Sequence, residues 1–158
     1  EGDPHAFTTT DDDDGDSKLT QLVTLIERGL KPKQNQPASS SSSNGILACI
    51  GECGLDYSPG FPPPSAQIPW FDAQLDLAYK YDLPLFVHER LAFDDVLKCI
   101  SQAESRHPNQ QFPKTIVHCF TGNATECKAY TDKGYYIGIT GFIHKPNGNE
   151  VRDILKSD

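Results

Sequence analysis

The sequence predicts an α/β fold built on a parallel sheet, and three observations carry that prediction. Four short runs are near-continuously apolar, the pattern of buried strands. Between them lie longer stretches in which apolar residues recur with helical period. The two patterns alternate at a spacing of one strand and one helix, which calls for parallel strands joined by right-handed crossovers.

In chain order, residues 1–16 hold seven acids (Glu1, Asp3, Asp11 to Asp14, Asp16) and neither Lys nor Arg. They account for most of the net charge of −8, leaving only −1 for the remainder. The run Asp11 to Asp14 reads as a solvated acidic loop, because contiguous carboxylates lack the alternating spacing of a calcium loop. Leu19, Leu22, Val23 and Ile26 recur at i, i+3, i+4 and i+7 and predict a first helix, with Gly29 as its stop. Residues 31–45, rich in Pro and Ser, are expected to form a flexible inserted loop within one domain spanning 1–158.

Ile46 to Ile50 is the first strand. Three consecutive prolines stiffen the segment Gly60 to Pro64, and Pro69 is expected to open the second helix at its first turn. Trp70, Phe71, Leu75, Ala78 and Tyr79 then form a face that packs on the sheet rather than an aromatic ligand box. Pro84 to His88 is the second strand. Phe93, Val96, Leu97 and Ile100 stripe a third helix, Thr115 to His118 makes the third strand, and Thr121 to Thr131 is a weaker fourth helix. Tyr135 to Ile139 is the fourth strand, and Glu150 to Lys156 is amphipathic. With no Met in the sequence and an amphipathic segment at its close, we expect a chain truncated at both ends.

Composition narrows the function. Nothing is basic enough to bind nucleic acid by field alone, so a nucleic-acid substrate would need positive charge from metal ions. Five cysteines (49, 53, 99, 119, 127) form no CxxC pair and read as free thiols in a reducing compartment, the cytoplasm or the nucleus. No eighteen-residue apolar run and no signal-type segment is present, so neither a membrane partner nor secretion is expected.

Chemistry gathers where the strands end. Gly51-Glu52-Cys53-Gly54 follows the first strand, His88 ends the second and His118 ends the third, at steps of 36 and 30 residues. In a parallel barrel all three side chains would meet at one rim. A lone histidine at a strand end is more often a hydrogen-bonded structural residue than a ligand. Three coincident cases, one a carboxylate flanked by glycines, favour a metal site. Gly51 and Gly54 would let the backbone turn tightly around Glu52.

The motifs carry a resemblance. Gly51-Glu52-Cys53-Gly54-Leu55-Asp56-Tyr57, Leu83 to Arg90, Val117-His118-Cys119-Phe120-Thr121-Gly122 and Gly134 to Gly141 resemble, in order, successive signatures of the TatD family of metal-dependent deoxyribonucleases. The resemblance covers about Ile46 to Ile143. It implies a partial TIM-type (β/α) barrel and a DNA substrate, cut from 3′ to 5′ through two divalent ions (Mg, Mn or Zn). It makes Glu52 the carboxylate bridging both ions, His88 and His118 ligands, and Arg90 a catalytic group for a substrate phosphate or a partner for an acid. The family's opening H-x-H pair and a late Asp have no counterpart here. Gly2-Asp3-Pro4-His5 is similar to a later family segment but carries Asp3 where His is usual, so His5 is not counted as a ligand. Glu89 and Leu91 stand where Cys and Asp are common, and His107 and His144 match nothing. The alternatives are a barrel hydrolase of amides or esters, and a non-catalytic fragment. No protein partner is implied.

Overall fold

A computed structural model describes residues 14–31 and 47–156. The expected loop at 31–45 lies outside the described residues apart from Lys31. His5 and residues 11–13 of the acidic run lie outside them altogether.

The elements alternate as the periodicity requires. Helix α1 spans Asp14–Leu30, β1 Ile50–Asp56, α2 Pro64–Tyr81, β2 Leu85–Arg90, α3 Phe93–Arg106, β3 Thr115–His118, α4 Ala124–Asp132 and β4 Tyr136–Ile137. Two 3₁₀ turns, Gly141–His144 and Pro146–Gly148, lead into α5 at Asn149–Ile154. The four strands are parallel and lie in the order β1-β2-β3-β4. Parallel neighbours joined in sequence by crossovers of one hand place their helices on the same face, the winding of a barrel wall rather than of a doubly wound sheet.

Burial follows this winding. Leu85 and Val87 on β2 and Val117 on β3 are buried under Phe71, Leu75 and Ala78 of α2 and Val96, Ile100 and Ala103 of α3. Tyr130 of α4 extends the same core, with its ring edge-on to Phe93 at 5.3 Å. The alternate residues Phe86, His88, Arg90, Ile116 and His118 are only half-buried. The near-continuous apolarity of the runs suggested cover on both faces, whereas among the described residues helices cover only one.

Several boundaries differ from expectation: β2 runs past His88 to Arg90, β4 is confined to Tyr136–Ile137, α4 opens at Ala124 rather than Thr121, and the first strand and second helix are displaced. The first strand begins at Ile50 and runs to Asp56, because Ile50 N–H donates to Pro84 C=O (2.8 Å) and the ladder continues to Tyr57 N–H on Arg90 C=O (2.9 Å). Glu52 therefore lies inside the strand, not after it. Helix α2 opens at Pro64, with Pro63 as its cap, and Pro69 sits within it. Pro64 has no N–H to leave unsatisfied in the first turn, so the stiff proline run starts the helix rather than delaying it. Trp70 is half-buried, while Phe71, Leu75, Ala78 and Tyr79 face the core as expected. The fourth helix opens on a reciprocal cap: Asn123 Oδ1 accepts from Glu126 N–H and Glu126 Oε2 accepts from Asn123 N–H, both at 3.0 Å.

Candidate metal centre

The ladder puts the C-terminal ends of three strands in line. Gly54 of β1 pairs with His88 of β2, and His88 pairs with His118 of β3. Because side chains alternate across a strand, His88 shares its face with Phe86 and Arg90, opposite the helices. Glu52 reaches the same point by a different device. The register shifts between Gly51 and Cys53, so Glu52 stands in a β-bulge and is re-aimed toward its neighbours.

Gly51 and Gly54 lie at φ +147° and +149°. A Cβ at Gly51 would fall 2.4 Å from Phe86 O, and one at Gly54 would fall 1.8 Å from His88 O. The glycines thus do two things: they turn the chain around Glu52, and they let β1 approach the backbone of β2.

One carboxylate oxygen is the hub. Glu52 Oε1 lies 2.8 Å from His88 Nδ1 and 2.6 Å from His118 Nε2. The three ligand atoms fall within 4.8 Å of one another. Around an ion that holds nitrogen and oxygen at about 2.0–2.2 Å, adjacent ligand atoms stand roughly 3 Å apart, so this donor set has the chemistry and spacing of a divalent-cation site. Phe86 stacks on the His118 ring (4.7 Å, 27°) and holds its plane.

Asp56, which sequence reasoning passed over, joins the group from the end of β1. Its Oδ2 lies 3.0 Å from His88 Nε2, and its Oδ1 accepts from Ser58 N–H at 2.8 Å. Its backbone is clamped by Gln67, which accepts from Asp56 N–H (2.8 Å) and donates to Asp56 C=O (2.6 Å). Burial pushes the Asp56 carboxyl up, but the Ser58 and His88 hydrogen bonds outweigh it and hold the group below the ordinary carboxylate value. The signal available in the sequence was a carboxylate four residues beyond Glu52 at the edge of an apolar run.

Arg90 stands two residues beyond His88. Its Nη1 donates to Thr121 Oγ1 at 3.1 Å, and its guanidinium lies 5.7 Å from the Phe142 ring centroid. Among the described residues no ion pair engages it. Glu89 points the other way: it is buried, its Oε1 accepts from Ala92 N–H (2.9 Å) at the start of α3, and burial pushes its carboxyl up. It belongs to the turn, not to the ligand cluster. His107 pairs with Asp76 (3.0 Å) and stacks on Tyr79 (4.1 Å), and His144 ends a 3₁₀ turn. All five cysteines are free, with Cys53 and Cys99 buried; burial pushes the Cys53 thiol up to about 12.

Residues 36–157 match the model of the family described as TatD related DNase. The 3'-5' ssDNA/RNA exonuclease TatD of Salmonella typhimurium is 35% identical over 136 residues, covering 80% of this chain and 50% of that protein. Its namesake from Escherichia fergusonii is 31% identical over 156 residues, covering 96% of this chain and 53% of the relative. The chain therefore spans about half the length of the curated relatives it matches. Among solved structures, the TatD homologue YJJV from Escherichia coli superposes with a TM-score of 0.71 at 28% identity, covering 98% of this chain and 51% of that one. A TatD family hydrolase from Entamoeba histolytica gives 0.62 at 26% identity, covering 80% and 36%.

Proposed function

This chain belongs to the TatD-related DNase family, and we propose that the whole protein hydrolyses phosphodiester bonds in single-stranded nucleic acid from the 3′ end, at a site holding two divalent ions (Mg, Mn or Zn). The observation that carries this reading is the convergence on one point of Glu52, His88 and His118, one from each of three neighbouring strands. The relatives named for single-stranded DNA and RNA exonuclease activity support the substrate class.

Each residue has a task. Glu52 would supply its carboxylate as the ligand shared by the ions. His88 Nδ1 and His118 Nε2, which face Glu52 Oε1, would be the nitrogens that hold an ion. Arg90, on the same face as His88, offers guanidinium N–H groups to a substrate phosphate. Divalent ions held here supply charge neutralisation on the phosphoryl oxygens and a nucleophile at neutral pH. Because the net charge is −8, this local positive charge is what lets a phosphate approach.

The test compares the full-length protein with its Glu52→Gln variant for metal content and for release of nucleotides from an end-labelled single strand. The variant is expected to lose bound ion and to cleave about a thousand-fold more slowly or worse, since charge stabilisation worth several kcal/mol disappears. Retention of both metal and cleavage by the variant would overturn the assignment.

A further inference from the structure

We infer that Asp56 is a positioning residue that fixes the tautomer of His88, holding the ring proton on Nε2 so that Nδ1 is free to bind the ion beside Glu52 and His118. This rests on the metal-site reading above and adds a residue to it. The geometry divides the two ring nitrogens cleanly: Nδ1 faces Glu52 Oε1 at 2.8 Å, inside the ligand cluster, and Nε2 faces Asp56 Oδ2 at 3.0 Å, outside it. With a carboxylate oxygen at each ring nitrogen, Asp56 competes with Glu52 for the single ring proton, and a proton held on Nε2 by Asp56 leaves the Nδ1 lone pair for metal.

Asp56 is built to stay in place. It is buried, its main chain is clamped on both sides by the Gln67 amide, and its second oxygen is occupied by Ser58 N–H. The last contact also determines what an amide would do there. In Asp56→Asn the Ser58 N–H still demands an acceptor, so the amide oxygen takes the Oδ1 position and the NH₂ is aimed at His88 Nε2. The ring must then accept at Nε2 and carry its proton on Nδ1, where the ion should bind. In Asp56→Ala the Ser58 turn is lost, but His88 remains free to choose either tautomer.

The two variants therefore separate positioning from packing. A merely structural Asp56 makes Ala the more damaging change, because Asn keeps the shape and the Ser58 turn. A tautomer-fixing Asp56 makes Asn the more damaging change for metal binding. The experiment is Mn²⁺ and Zn²⁺ titration calorimetry on the full-length protein and both variants. Histidine-selective ¹⁵N NMR of the metal-free proteins accompanies it, at about pH 9, where imidazoles are neutral. Expected is a larger Nε2–H population of His88 in the parent than in Asp56→Asn, where the Nδ1–H tautomer prevails. Divalent affinity should fall by roughly 10- to 100-fold in Asp56→Asn and by less in Asp56→Ala. An unchanged tautomer in Asp56→Asn, an inverted tautomer with unchanged affinity, or a greater loss in Asp56→Ala would each overturn the inference. A parent protein that binds no divalent ion would instead sink the metallonuclease reading itself, whatever the NMR of the variants shows.

Discussion

Arg90 shows how much a single residue's setting can say. Its guanidinium is oriented by Thr121 and by the face of Phe142, contacts that fix direction without neutralising charge. A structural arginine at this depth is usually paired with an acid, and among the described residues Arg90 forms no ion pair. That favours a phosphate as its partner. Arg90→Ala is expected to lower kcat/KM on a single-stranded substrate by about 10- to 100-fold, the worth of one charge-assisted hydrogen bond of ~1.5–3 kcal/mol. Divalent affinity should stay as it was. Steady-state kinetics beside metal titration checks this, and a parallel fall in metal affinity would move Arg90 into the ligand scaffold.

At the scale of the element, β1 does the most with the least. Its seven residues, Ile50–Asp56, contain a bulge, two glycines at positive φ and two of the acids of the site. The glycines are what permit its close approach to β2, as the 1.8 Å contact that a Cβ at Gly54 would make with His88 O makes plain. That atom is backbone and cannot swing aside, so Gly54→Ala must displace one strand from the other. A loss of folding stability on the order of 3 kcal/mol is expected, read from denaturant midpoints. Gly15→Ala in the first turn of α1, where a Cβ meets nothing within 4 Å, serves as the control and should be neutral or slightly stabilising. A Gly54→Ala variant as stable as the control would mean that β1 and β2 can separate without cost.

For the molecule as a whole, the order β1-β2-β3-β4 with helices on one side leaves Phe86, Ile116 and the ligand cluster on the uncovered face. Tyr136 of β4 is 65% exposed. An ion held by Glu52, His88 and His118 would couple site and sheet, because it would crosslink β1, β2 and β3. Binding confined to the folded state stabilises it by mass action. At a divalent-ion concentration about 100-fold above Kd, the full-length protein should gain about 2.7 kcal/mol, seen as a rise in Tm that a chelator reverses. Glu52→Gln should abolish most of that rise. An equal rise in the variant would place the stabilising ion elsewhere. No described helix is long and apolar enough to cross a membrane.

The sequence by itself determined the strand–helix alternation and the α/β class, and it singled out the three residues that the structure brings together as a candidate metal site, because each depends on a local pattern. Buried parallel strands must be apolar along their length, helices must show their period, and a polar side chain of ligand type stands out against an apolar strand. Thr115 to His118 could be read to the residue on that basis. Other features were decided only in three dimensions. The bulge that turns Glu52 inward arises from pairing with β2, a segment more than thirty residues away, and leaves no trace in the local pattern of β1. Asp56 stood within the motif Gly51 to Tyr57 without a role until the ladder brought His88 within 3.0 Å of it. Pro69 looked like a helix start because local rules cannot see that Pro63 and Pro64 had already provided one. Which face of the sheet stays open was likewise undetermined in the sequence, since apolar residues on both faces read alike until the crossovers choose a side.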